Sequence, residues 1–236
     1  MKAKLQTTIF QRQMADGDQM DFSANGIYLL HVKKLCAMLA KVGGREAAWR
    51  KLAFKTLWRC AGRASEVGFL NLEVMSHDHY FTCEKVDCPQ SKSNKLKFIA
   101  LVAGADRHSD WYVDWGDYLV LDRGRMRYEV TKPTWLIPEV QGSTCGAKLT
   151  SAIKAMQPID RKGAQVTYKD FSVPELPPDP SAAGFRPGAC DTLATAMHPE
   201  IAVHTTGHDL TSLSALWEYL AAKMALLMPG AVVLAT

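Results

Sequence analysis

The sequence predicts an α+β fold, a mostly helical domain with a small antiparallel β-sheet, and three observations support this. Apolar residues recur at three- and four-residue steps toward both ends of the chain. Between these segments the period shortens toward two. A polar turn rich in Pro, Ser and Asn then separates two strand-like runs. With 236 residues, 47% of them hydrophobic, the chain is long enough for one large domain with its own core.

The first helical run begins at Phe22, with Ile27, Leu29, Leu30, Val32, Leu35, Met38 and Leu39 in helical register and Gly43-Gly44 as its stop. A second spans Arg45 to Cys60, with Trp49, Leu52, Ala53, Leu57 and Trp58 as its apolar stripe. A short third helix starts near Ala64 and carries Glu66 and Val67. Tyr80 to Cys88 and Leu96 to Gly104 read as the two arms of a hairpin. Residues 105–150, rich in Trp, Tyr, Gly and Asp, give a weaker pattern, in which one helix is expected around Trp111 to Leu121. Residues 172–188 read as a linker, since Pro174, Pro177, Pro178, Pro180 and Pro187 favour extended backbone. Helices then return at Cys190 to Met197 and Leu210 to Met228, the second stopped by Pro229-Gly230. The division expected is a polar tail over residues 1–21 and one domain over 22–236.

A formal net charge of +4 is compatible with a polyanionic partner without requiring one. The six cysteines are scattered and read as reduced thiols. The N-terminus lacks an apolar signal-peptide core, and the longest apolar stretch is broken by Pro229-Gly230, so an intracellular location without a membrane span is expected.

The residues that point to chemistry fall in two clusters. In the first, "GRASE" sets Arg63 at a helix start with Glu66 one turn on, and Lys92 and Lys95 occupy the hairpin turn. In the second, Arg186 precedes a short helix, and Gly207-His208 precedes a helix that bears Tyr219. Attack on a phosphodiester needs cations on the non-bridging oxygens, a hydrogen-bond donor and a nucleophile. Arg, His and Tyr supply these in turn.

In this order, Arg63, Lys92, Arg186, His208 and Tyr219 resemble the catalytic domain of the tyrosine recombinases, the phage-integrase type, over about residues 22–228. The resemblance implies that Arg63 and Arg186 clamp the scissile phosphate and that His208 donates to it. Lys92 would protonate the leaving 5′-oxygen, and Tyr219 would form a 3′-phosphotyrosyl link. Lys95 and Lys97 would contact DNA. The partner implied is double-stranded DNA, with several copies assembling on it as a homo-oligomer, and with no metal, small-molecule cofactor or membrane.

This sequence departs from the family at three places. Three residues before the second arginine, where the family usually has His, stands Ala183. Nine residues after the histidine, where the family commonly has its tyrosine, stands Trp217; Tyr219 lies about 200° further round a helix. The family's separate N-terminal helical domain has no counterpart before residue 22. The alternatives are therefore a decayed or domesticated module that holds DNA without cutting it, a type IB topoisomerase-like domain, and an α+β interaction domain with solvated cations. A zinc site at His77, His79, Cys83 and Cys88 is disfavoured by its spacing. Tyr80, Tyr112, Tyr118, Trp111, Trp115 and Trp135 are expected to pack rather than stack on bases.

Overall fold

The computed structural model describes residues 26–88, 97–121, 135–156, 176–177, 179–196 and 234. At its centre lies a helix that is buried from Ala47 onward except at half-buried Arg50, although its sequence is far from uniformly apolar. This is α2 (Gly44–Arg59), preceded by α1 (Leu29–Val42). Gly43 and Gly44 join them at φ +68° and +79°, left-handed angles that a side chain would strain. The N–H of Gly43 donates to Leu39 O and closes α1. At the other end of α1, His31 Nδ1 accepts the Tyr28 N–H at 3.0 Å. The helical pattern read from Phe22 thus becomes a helix only at Leu29, and residues 22–25 lie outside the described residues.

After α3 (Ala64–Val67), a three-stranded antiparallel sheet runs in the order β1 (Met75–Asp78), β2 (Cys83–Cys88), β3 (Lys97–Leu101). Asp78 faces Cys83 and Cys88 faces Lys97, which fixes both registers. The expected hairpin is present with shorter arms, and β1 is a strand that the sequence reading missed. Tyr80 to Thr82, expected within a strand, form the β1–β2 turn instead. There Asp78 Oδ1 accepts the N–H groups of Tyr80 and Phe81, both at 3.0 Å, and competes them away from the ladder.

Three more helices complete the described fold: α4 (Trp111–Leu121), α5 (Cys145–Ala155) and α6 (Phe185–Ala196). The helix expected at Trp111 to Leu121 is found with those bounds. The end of the expected linker needs correction: residues 182–184 form a 3-10 turn, and α6 starts at Phe185. Pro187 sits in the first turn of α6, where its missing N–H has no helical partner to lose. The expected helix over Leu210 to Met228 lies outside the described residues. Among the described residues no helix is long and apolar enough to cross a membrane.

The core forms around α2. Phe54 stacks on Phe185 of α6 with ring centroids 5.7 Å apart. Trp111 of α4 donates its indole N–H to Thr56 Oγ1 at 2.9 Å. Trp58 donates its own to Leu234 O at 3.0 Å, and the Leu234 side chain is fully buried.

The same helix buries three cations at i, i+4 and i+8. Lys51 reaches Asp114 Oδ1 at 2.8 Å and Asp117 Oδ2 at 3.1 Å. Lys55, 2% exposed, reaches Asp114 Oδ2 at 2.6 Å and the carbonyls of Asp110 and Arg107 at 2.6 and 3.0 Å. Arg59, 3% exposed, donates to Val102 O at 2.7 Å and Ser109 O at 2.6 Å. Together they fasten α4 and the segment after β3 onto α2. Burial pushes the Arg59 guanidinium down to about 10, which Asp110 and the Tyr112 phenol partly oppose. Burial also acts to lower Lys51, yet its bonds to Asp114 and Asp117 leave it above its ordinary value.

Candidate functional site

Arg63 leaves α2 through a sharp joint. The N–H groups of Cys60 and Ala61 still donate to Thr56 O and Trp58 O, at 2.9 and 3.0 Å. Ala61 then turns the chain at φ +42°, and the extended backbone of Arg63 opens α3. Glu66 Oε2 accepts the Arg63 N–H at 3.1 Å, and Oε1 lies 3.6 Å from Nη1. The carboxylate is buried, with Glu66 4% exposed, while the Arg63 side chain is 43% exposed. The acid thus holds the start of α3 from inside and leaves the guanidinium on the surface.

Helix α3 rests on the first turns of α5. A Cβ built on Gly146 would stand 3.4 Å from the Ala64 Cβ, an ordinary van der Waals separation, so the two helices lie within side-chain contact there with room for one more methyl group. Gly68, just after α3, has no room for a Cβ against Gly142 O and Cys145, and its carbonyl accepts the Gly142 N–H at 2.7 Å.

Arg186, half-buried, is the second residue of α6. The 3-10 turn before it docks on the same helix that receives α3: Ala182 donates its N–H to Thr150 Oγ1 at 3.0 Å. Gly146 and Thr150 are four residues apart on one face of α5, about 6 Å along its axis. The other flank of α6 is occupied, because Gly184 O accepts the Ile27 N–H at 2.8 Å and Gly188 lies against the Ile27 backbone. Phe185 points into the core, and Arg186, about 100° further round, falls on the flank away from Ile27. The segments that carry the two arginines therefore share one helix face, one turn apart.

The sheet places the lysines coarsely. Lys97 opens β3 opposite Cys88, and Lys92 and Lys95 belong to residues 89–96, outside the described residues. The connection leaves the sheet at the end where β1 enters from residues 72–74, downstream of α3 and Arg63. His208 and Tyr219 also lie outside the described residues. Ala183 is exposed on the 3-10 turn before Arg186.

The disfavoured zinc cluster is split by the sheet. Cys83 is fully buried, its thiol pushed up to about 11 by burial and by Asp78 and Glu84. His77 is exposed on the strand, with Nδ1 2.9 Å from Glu84 Oε1. Among the described residues no three His, Cys, Asp or Glu side chains gather as metal ligands.

Of the aromatic residues expected to pack, Trp111 and Tyr118 are buried, and Tyr112 and Trp115 lie against the core. Trp135 is half-buried, edge-on to Phe69. Tyr80 is the correction: it is 87% exposed, because the Asp78-capped turn carries it beyond the sheet.

The sequence reading missed Lys51, Lys55, Arg59 and their partner Asp114. A signal was present, since three cations at i, i+4 and i+8 line one face of a helix whose other positions from Ala47 onward are mostly apolar. Acids spaced one turn apart at Asp114 and Asp117 complement them. No protein-family model matches this chain, and no characterised protein matches it.

Proposed function

We propose that this chain breaks and rejoins DNA strands in the manner of the tyrosine recombinases, through a 3′-phosphotyrosine intermediate. The observation that carries this reading is the docking of the Arg63 and Arg186 segments onto one face of α5, at Gly146 and Thr150. A phosphodiester presents two non-bridging oxygens, and two planar guanidinium forks are the groups suited to that demand. The connection that carries Lys92 and Lys95 runs from Cys88 to Lys97, and its residues 89–96 lie outside the described residues.

In this reading Arg63 and Arg186 neutralise the phosphate as its negative charge concentrates in the transition state. His208 donates to a non-bridging oxygen. The Tyr219 oxygen gives up its proton to solvent and attacks phosphorus while the bond to the 5′-oxygen breaks, and Lys92 delivers a proton to that leaving oxygen. A 5′-hydroxyl of DNA later reverses the step and releases the tyrosine.

One observation favours a second reading, in which the domain binds DNA without cutting it. Ala183 supplies no imidazole at the exposed position where the family usually has His. A nicked DNA substrate, which traps the covalent intermediate by losing its short leaving strand, separates the two. The cleavage reading expects a denaturant-resistant adduct with the wild-type chain and none with Tyr219→Phe, which retains DNA binding. Salt-sensitive DNA retention without an adduct selects the binding module. Absence of DNA retention even at low salt overturns both, because phosphate contacts dominate sequence-independent affinity.

A further inference from the structure

We infer that Ala61 is a positioning residue, a strained pin that aims the Arg63 guanidinium. The inference rests on Arg63 being a phosphate ligand and adds what fixes its direction. Ala61 has φ +42° and is fully buried. Among the described residues, the other non-glycine positions with left-handed backbone, Thr82 and Asp179, are exposed. Thr82 closes the β1–β2 turn, and Asp179 follows a proline-rich stretch; neither turn presents a candidate ligand. Glycine would adopt the Ala61 angle without a Cβ clash, so alanine here gives up stability and in return restricts the backbone.

The joint is held on both sides. Upstream, the last turn of α2 is fixed by Trp58 bonded to Leu234 O and by Arg59 bonded to Val102 O and Ser109 O. Downstream, α3 is fixed by the Glu66 carboxylate on the Arg63 N–H and by Gly146 against Ala64. Only Cys60, Ala61 and Gly62 lie between these anchors, and all three are buried. The restricted torsions of Ala61 therefore decide how narrowly Arg63 is directed.

Ala61→Gly tests this, because relief of strain and loss of aim have opposite signs. A joint that were merely structural would gain or keep stability and leave DNA binding unchanged. The inference expects a melting temperature equal to or above wild type together with DNA binding about three- to ten-fold weaker. It also expects a shallower dependence of log K on log salt for a short mixed-sequence duplex. Arg63→Ala, measured alongside, should flatten that dependence by about one phosphate contact. Wild-type binding by Ala61→Gly with weakened binding by Arg63→Ala overturns the aiming role alone. Wild-type binding by both variants overturns the assignment of Arg63 as a phosphate ligand. A lower melting temperature in Ala61→Gly would mean that the Cβ supports the joint, and would overturn the strained pin.

Discussion

Arg59 and Arg63 stand on either side of the Ala61 joint, and the fold uses them in opposite ways. Arg59 is sunk in the core, its two terminal nitrogens bonded to backbone carbonyls. Arg63 projects from the surface with one buried carboxylate at its base. Lys51 and Lys55 side with Arg59: they bind Asp114, backbone carbonyls and Asp117, and so act as internal fasteners. A formal charge of +4 adds both kinds of cation together. Three of the positive charges are unavailable to a polyanion, so affinity for DNA depends on where cations emerge, not on how many the chain holds.

Substitutions at the two kinds of cation should separate accordingly, and the largest effect is expected at Lys55. Lys55→Ala strands a buried Asp114 oxygen and two carbonyls, and should destabilise the fold by about 3–5 kcal/mol in urea unfolding. A cost below 1 kcal/mol would remove Lys55 from the set of fasteners. Arg59→Met leaves two carbonyls without donors, for about 2–3 kcal/mol. That cost would appear in the urea midpoint with an unchanged m-value.

Alkaline pH should expose the burial of uncharged groups beside these cations. Burial pushes the Cys36 thiol from 9.0 to about 12, with Lys55 opposing, and does the same at Cys145 with Lys148 opposing. The unfolded chain loses these protons near pH 9 while the folded chain keeps them, so stability is full below pH 9 and falls as pH rises toward 12. Arg59 has the opposite sign: its penalty for burial as a cation lessens above about pH 10. Cys36→Ala should therefore flatten the decline between pH 9 and 10 by up to about 1.4 kcal/mol per pH unit. An unchanged slope would show that Cys36 opens to solvent in the folded chain.

The smallest stability effect belongs to Arg63. Arg63→Ala should change unfolding free energy by less than about 1 kcal/mol, because Glu66 keeps its bond to the backbone N–H of residue 63 and the lost contact is a long one, 3.6 Å, to an exposed guanidinium. A cost near that of Lys55→Ala would end the distinction between the two groups.

Much of this architecture was legible in the sequence, and the parts that were not share a cause. Local signals placed α2 and α4 well, because Gly43-Gly44 and the aromatic run from Trp111 are strong short-range features. β1 was missed because Met75 to Asp78 is a polar four-residue strand with little β propensity, held only by its pairing to β2. The start of α6 was misread because the prolines before it suggested a linker, whereas Pro187 is tolerated in a first helical turn. The order of Arg63 and Arg186 could be read, but their relation through α5 could not. It depends on the contact of Ala64 with α5 at Gly146 and on a threonine hydroxyl at 150, neither of which marks itself in the chain.

The bond from the Trp58 indole to Leu234 O also bears on the order of folding. It joins residues 176 positions apart, while α1 and α2 meet across a two-glycine turn. Helix hairpins close locally and quickly, but distant contacts must first overcome the entropy of closing a long loop. The Trp58 indole N–H therefore gains its carbonyl partner only when the distant segment arrives. Trp58 fluorescence should lag behind the gain of helix in a refolding experiment, giving an optical signal for long-range closure distinct from local helix formation.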